Sequence, residues 1–431
     1  MNAICLPEES TICGWQTNLR RSDDRVVLTG GRTARFVVIG AGFTGLAAAR
    51  RLAELFPQES ICLIDALGVG DGAAGRNCGF VVPIAHFRDE NDSADQRLYR
   101  LGLAGLHKLE QLVGRFGIPC DWQNCGRLIA ARGRFALRNL SHQQRALDQL
   151  GAPNELLDGE QVNEMTGMSG YRRAVCQRDA VLVNPKALVT GLAAHLPENV
   201  QLFEQTPVHR LGTGRHVKVE CAHGCIRAEH VLLTTNGWLA SQGLQCGRVF
   251  PMRTFASFAE VLDDAALPGT KIQWGLTSSL RIGSSLRRLS ASRVLIRNTA
   301  MFGTNSGDPK RELNRVAAFH QRCLGERFPG FGSWKISNTW SGVLGVTANG
   351  AGFFGQADKN IWAAAGHNGH GIAQGTIAGR LLADLVSGRA NSLLNDMQSL
   401  PQAQRVPTGS LLRAGVALSV GYLNFRGRKE F

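Results

Sequence analysis

A chain of 431 residues is too long for one simple core and implies two domains, and its 44% hydrophobic and 19% charged content excludes a disordered or fibrous protein. The net charge of +14 is mostly dispersed arginine, without the Lys/Arg blocks of a nucleic-acid-binding chain, and no run approaches the roughly 18 apolar residues of a membrane span. Residues 1–20 lack the apolar centre of a signal peptide, and the eleven cysteines form no C-x-x-C pairs, so reduced thiols in a cytoplasm are expected.

Residues 1–33 read as an irregular lead-in. Arg35-Phe36-Val37-Val38-Ile39 reads as a buried strand running into Gly40-Ala41-Gly42-Phe43-Thr44-Gly45, a G-x-G-x-x-G turn that opens a helix through Leu55. A second apolar strand, Ile61-Cys62-Leu63-Ile64, ends at Asp65, 20 residues past Gly45, with Ala66 behind it. This order is that of a dinucleotide-binding βαβ unit. Gly40 makes the turn, Gly42 admits the pyrophosphate to the backbone, and Gly45 lets helix and strand pack. The phosphates belong on the helix N-terminus, where free N–H groups and the helix dipole favour anions, and Asp65 accepts from ribose hydroxyls.

Residues 83–175 are polar and helical in pattern. Asn184-Pro185 opens a helix through His195. Short strands follow over 200–203, 208–211, 216–221 and 225–234, and Cys221-Ala222-His223-Gly224-Cys225 reads as a hairpin turn rather than a metal site. Residues 250–305 alternate as in an antiparallel sheet, 310–328 read as a helix, and 345–371 are glycine-rich. Ile377, Leu381, Leu382 and Leu385 place a helix over 376–388, with Gly388 at its C′ position. In the tail, 411–423 reads as a helix packed on its own protein. The basic run Arg426-Gly427-Arg428-Lys429 would also suit contact with an anionic membrane.

Several motifs resemble the FAD-dependent D-amino-acid-oxidase/glycine-oxidase superfamily, and within it the bacterial amine-oxidising branch related to γ-glutamylputrescine oxidase. They are the 37–45 turn; Gly72-Ala73-Ala74-Gly75-Arg76-Asn77-Cys78-Gly79-Phe80; Leu182-Val183-Asn184-Pro185; Val231 to Gly237; Trp340-Ser341-Gly342-Val343-Leu344-Gly345; and Gly366-His367-Asn368-Gly369-His370-Gly371. The resemblance implies an α/β fold: a Rossmann-like FAD-binding domain (34–82, 176–245 and 345–390), interrupted by a substrate domain with a large mixed or antiparallel sheet (83–175 and 246–344). Residues 391–431 would form a C-terminal tail. It also implies FAD contacts from Gly40, Gly42, Phe43, Thr44, Gly45, Asp65, Ala66, Ala74, Gly75, Arg76, Asn77, Cys78, Gly79, Val208, Thr235, Asn236, Gly237, Gly366, Asn368, Gly369, His370 and Gly371. Ala74 stands where the family has serine, and His367 where it commonly has tyrosine.

The substrate clue is Leu344. Family amino-acid oxidases carry W-x-G-x-R-P there, and the arginine clamps the α-carboxylate. Leucine cannot, so the clamp comes from elsewhere, Arg297 or Arg281, or the substrate is an amine or modified polyamine without that group. The same segment lacks the cysteine through which sarcosine oxidases attach FAD, so the flavin is expected to be non-covalent. The implied reaction is oxidation of a C–N bond by hydride transfer to flavin N5, followed by imine hydrolysis, with O₂ or another acceptor reoxidising the flavin. His370 and His86 are the candidates for a chemical role. No metal and no nucleic acid are expected. The alternatives are a quinone-linked amino-acid dehydrogenase at a membrane and a tRNA-modifying flavoenzyme.

Overall fold

The computed structural model describes residues 11–15, 25–85, 87, 92–245, 247–261, 267–271, 273–304, 308–331 and 334–431. In chain order the elements begin β1 (Gly30–Ile39), α1 (Phe43–Leu55), β2 (Ile61–Ile64), α2 (Ala73–Arg76), β3 (Phe80–Val81), α3 (Asp92–Phe116), β4 (Arg127–Ala131), α4 (Arg134–Gln149), β5 (Asn154–Asp158), α5 (Gly159–Thr166) and β6 (Arg173–Gln177). They continue β7 (Val181–Leu182), α6 (Pro185–Ala194), β8 (Val200–Phe203), β9 (Val208–Gly212), β10 (Val217–Cys221), β11 (Gly224–Leu233), a 3₁₀ turn (Asn236–Gln242) and β12 (Phe250–Val261). The last part is β13 (Gly275–Ser278), β14 (Ser285–Arg288), β15 (Arg293–Phe302), α7 (Pro309–Arg327), β16 (Trp334–Val346), β17 (Phe353–Asp358), β18 (Ile361–Ala365), α8 (Ala373–Val386), α9 (Ser392–Gln398) and α10 (Ser410–Gly427).

The first of two eight-stranded sheets runs β17-β18-β11-β1-β2-β8, with the β9–β10 hairpin hung on β11. β1 sits at its centre, parallel to β2 and to β11, and its end, Phe36–Ile39, is buried on both faces, whereas its first four residues are exposed. That explains the continuous apolar run of those last four residues. Phe36 and Val38 pack towards α1 and α8, while Val37 and Ile39 pack towards the β9–β10 hairpin. Cys221 and Cys225 flank the turn of the β10–β11 hairpin, as expected, and Glu220 pairs with Cys225.

The second sheet runs β16-β12-β15-β14-β13-β4-β6-β5 and is antiparallel except where β13 lies parallel to β4. The segment 83–175, helical in pattern, supplies three of its strands, β4, β5 and β6. All five β4 residues are buried, so β4 shows no alternation by which a sequence reading could find it. α6 begins as expected, with the Asn184 side chain accepting from the amides of Lys186 and Ala187. α8 starts three residues before the expected 376–388 segment and is followed by Gly388 at φ +72°.

Two backbone contacts fix how α1 lies. A Cβ on Gly45 would collide with the carbonyl oxygen of Gly40, and one on Gly379 of α8 with the carbonyl oxygen of Thr44. β1, α1 and α8 therefore meet with no side chain between them. Gly379→Ala is expected to destabilise the protein by about 1–3 kcal/mol through overpacking. Gly114→Ala, in α3 with nothing near the added methyl, is expected to be neutral or to stabilise by up to about 1 kcal/mol. Chemical denaturation of the two variants beside the parent protein checks both.

Candidate active site

The turn between β1 and α1, the end of β2, the 72–78 loop, the 366–371 loop and one face of the second sheet enclose a single cavity of about 940 Å³. That is large for one ligand site. Gly40 has φ +103° and Gly42 precedes α1 without a side-chain cap. The amides of the first turn of α1 thus open into the cavity. A Cβ on Gly42 would find only the Ala74 methyl, at 3.6 Å, so this glycine faces open space, unlike Gly45. An extended anion fits here.

Asp65 does more than the sequence suggested. Its Oδ2 accepts from the Ala41 amide at 2.7 Å and its Oδ1 from the Leu67 amide at 2.8 Å. The carboxylate therefore ties the glycine turn to the end of β2, and each oxygen keeps a lone pair for a ribose hydroxyl. Burial pushes Asp65 up to about 6, while the two amides pull the other way.

Most of the expected cofactor residues line this cavity: Gly40, Gly42, Phe43, Thr44, Asp65, Ala66, Ala74, Asn77, Cys78, Val208, Thr235, Asn236, Gly237, Gly366, Asn368, Gly369, His370 and Gly371. Gly45, Gly75, Arg76 and Gly79 are not among the lining residues. The three glycines are needed for close packing, since a Cβ on Gly75 would strike the Gly70 carbonyl and one on Gly79 the Val183 carbonyl. Arg76 turns away. Its Nε donates to the Ser341 carbonyl at 2.7 Å and its Nη2 to Thr11, which anchors α2 on β16. Several lining side chains are also committed to shaping the walls. Asn77 Oδ1 accepts from the Gly79 amide at 2.8 Å. Asn236 Oδ1 accepts from the Gly366 amide at 2.9 Å, and Asn368 Oδ1 from the Thr347 amide at 2.9 Å. The Asn77 bond is local, whereas Asn236 and Asn368 hold three separate chain segments, around 236, 347 and 366–368, in one wall.

His367 Nε2 lies 3.1 Å from Thr44 Oγ1, and burial holds the imidazole near 4, so it stays neutral. It links the 366–371 loop to the first turn of α1. His370 is half-buried on the cavity wall. His86 lies outside the described residues. Burial pushes the Cys78 thiol up, against the pull of Arg297, to which it hydrogen-bonds.

Both arginines raised as clamps, Arg297 and Arg281, line the cavity, and the second sheet adds Ile129, Thr277 and Ser285, which the sequence did not flag. Strand register sets Ile129, Thr277, Ser285 and Arg297 side by side across four adjacent strands, β4, β13, β14 and β15, and all four line the cavity. Arg297 has no acidic partner among the described residues. Leu344 also faces the cavity, from β16, opposite Met252 of β12. Behind Arg297, fully buried His320 bonds Ser257 Oγ (2.7 Å) and Asn298 Oδ1 (2.8 Å), and burial drives it down to about 3. Serine, histidine and asparagine here are walled off from substrate and form a neutral support for β15. Among the described residues no group of three or more His, Cys, Asp or Glu is arranged to hold a metal ion.

Residues 35–385 match the FAD dependent oxidoreductase family. A probable oxidoreductase, OrdL, from Haemophilus influenzae is 24% identical over 81% of this chain and 82% of its own. The gamma-glutamylputrescine oxidoreductase of Escherichia coli is 25% identical over 92% of this chain and 93% of its own. Among solved structures, glycine oxidase from Geobacillus kaustophilus superposes with a TM-score of 0.70 at 20% identity, covering 88% of this chain and all of that one. That last likeness shows the shared fold.

The buried Asp65 gives a pH dependence. In the FAD-free protein it is protonated below about pH 6 and ionised above. Ribose hydroxyls held there, as the sequence motif implies, would donate to the ionised form, so binding would lower its pKa and release a proton. FAD affinity should be constant above about pH 7 and fall by up to about tenfold per unit as the pH drops below 6. Asp65→Asn should bind FAD more weakly with no such step. Flavin fluorescence titration of the apoprotein measures both.

Proposed function

The chain belongs to the family of FAD-dependent oxidoreductases, and from that premise we propose that it oxidises the C–N bond of a small amine or amino acid bearing a carboxylate. The observation that supports the substrate reading is the Arg297 guanidinium, which has no acidic partner among the described residues and stands in line with Thr277 and Ser285 on the cavity wall made by the second sheet. A guanidinium beside two hydroxyl donors suits a carboxylate, which accepts several hydrogen bonds at once. Leu344 offers only methyl groups on β16. The anion site therefore lies across the sheet, on β15.

The residues present fit FAD. The α1 amides and Gly42 would hold the pyrophosphate, and Asp65 the adenosine ribose. The 72–78 and 366–371 loops would hold the ring, with no cysteine in the segment 340–345 to bond it. Bound FAD supplies the two-electron acceptor for a hydride from the substrate α-carbon, leaving an imine for water to hydrolyse. The chain's own part is to bind and orient. Arg297 fixes the carboxylate, and that leaves the amine end directed towards the 366–371 loop. Apolar Leu344, Met252 and Val343 exclude water from the C–H to be broken and favour the neutral amine, which gives up hydride more readily than the ammonium form. Thr44 and neutral His367 keep the loop against α1 without adding charge to that part of the cavity wall.

Anaerobic addition of carboxylate-bearing amines and amino acids should bleach the flavin of the purified protein. Arg297→Met should raise KM for these substrates by about 10- to 100-fold, the worth of one charged hydrogen-bond pair, and leave KM for amines lacking a carboxylate within about twofold. Equal loss for both substrate types would contradict the assignment. Peroxide release, or dye reduction without it, tells an oxidase from a dehydrogenase.

A further inference from the structure

The last long helix, α10, is apolar on two opposite faces. On one side Leu412, Val416, Val420 and Leu423 line the cavity. On the other, Leu418, Tyr422 and Phe425 form a stripe exposed by 77%, 59% and 63%. A water-facing helix would place polar residues there. The chain after α10 is pinned: the buried Glu430 side chain accepts from the Gly133 amide at 2.8 Å, and its carbonyl accepts from Arg327 Nη2 at 3.0 Å. Before α10, the Val406 amide donates to the Gly247 carbonyl at 2.8 Å. The helix is therefore held across the cavity wall with its apolar stripe facing out.

The charges around it have one sign. Between Asp396 and Glu430 there is no acidic residue, but there are five basic ones: Arg405, Arg413, Arg426, Arg428 and Lys429. Arg426 lies over the Tyr422 ring at 5.6 Å and Arg428 over the Phe425 ring at 5.5 Å. Aromatic rings backed by guanidinium groups at the end of an apolar stripe match the layering of a bilayer surface, with acyl chains below and phosphates at the level of the cations. No helix among the described residues is long and apolar enough to cross a membrane, so a helix of this kind would lie in the interface.

We propose that α10 is a docking face for an anionic lipid bilayer, which it enters by Leu418, Tyr422 and Phe425 while the flanking basic residues bind phosphate headgroups. A second copy of the chain is the less favoured occupant, because pairing two α10 faces would bring ten cations together without an anion. Docking of this kind would put the hydrocarbon layer one helix away from the cavity, within reach of an apolar electron acceptor dissolved in it. The proposal does not depend on the substrate assigned above.

Flotation of the FAD-loaded full chain with phosphatidylcholine vesicles, with and without phosphatidylglycerol, tests it. The protein should float with the anionic vesicles and not with the neutral ones, and added salt should release it. Arg413→Gln with Arg428→Gln should weaken binding by about tenfold or more, since each cation near the surface is worth about 1 kcal/mol. Leu418→Ser with Phe425→Ser should abolish flotation while turnover with a soluble dye stays at the parent level, as neither residue lines the cavity. Failure to float with anionic vesicles, or undiminished flotation of the Leu418→Ser, Phe425→Ser protein, would overturn the proposal. So would a dimer that this double change dissociates.

Discussion

The structure depends on one close approach: the Cα of Gly45 lies against the carbonyl oxygen of Gly40, leaving no room for a Cβ. This contact sets α1 directly on the end of β1 and points its first-turn amides into the cavity. Thr234 secures it, because its Oγ1 bonds both the Ile39 and the Gly40 carbonyl oxygens, at 2.9 and 2.8 Å. On the far side, Gly379 brings α8 onto the Thr44 backbone. α8 in turn carries the 366–371 loop on its N-terminal side. One steric constraint at the α1 turn thereby positions the 366–371 loop, which His367 ties to Thr44.

This geometry accounts for which parts of the site were legible in the sequence. Glycines needed for backbone contact leave a spacing, so the 40–45 turn and Asp65 could be read without coordinates. Side-chain direction leaves no such trace. Arg76 sits in a cofactor-loop motif yet points into the protein, because Ser341 and Thr11 offer it carbonyl oxygens on the inner side. Asp65 looked like a ribose ligand alone, since the amides of Ala41 and Leu67 reach it only once β1 and β2 are paired.

The substrate side was harder to read, for a physical reason. Ile129, Thr277, Ser285 and Arg297 come from four strands spread over some 170 residues, and only cross-strand register brings them together. Leucine at 344 leaves Arg297 and Arg281 as alternative clamps, and nothing in the sequence separates the two. β4 was missed because its continuous burial hides the period-two signal. α10 was recognised as an apolar segment, but its two-faced exposure required the packed structure.

We propose that the cofactor spans from the α1 amides to the row ending in Arg297. A crystal structure of the FAD-loaded protein with a carboxylate-bearing inhibitor tests it most directly. The account places the pyrophosphate on the amides of Phe43 to Gly45, the flavin ring between Cys78 and the 366–371 loop, and the inhibitor carboxylate on Arg297. A ring outside the cavity, or a carboxylate bound away from Arg297, would contradict it.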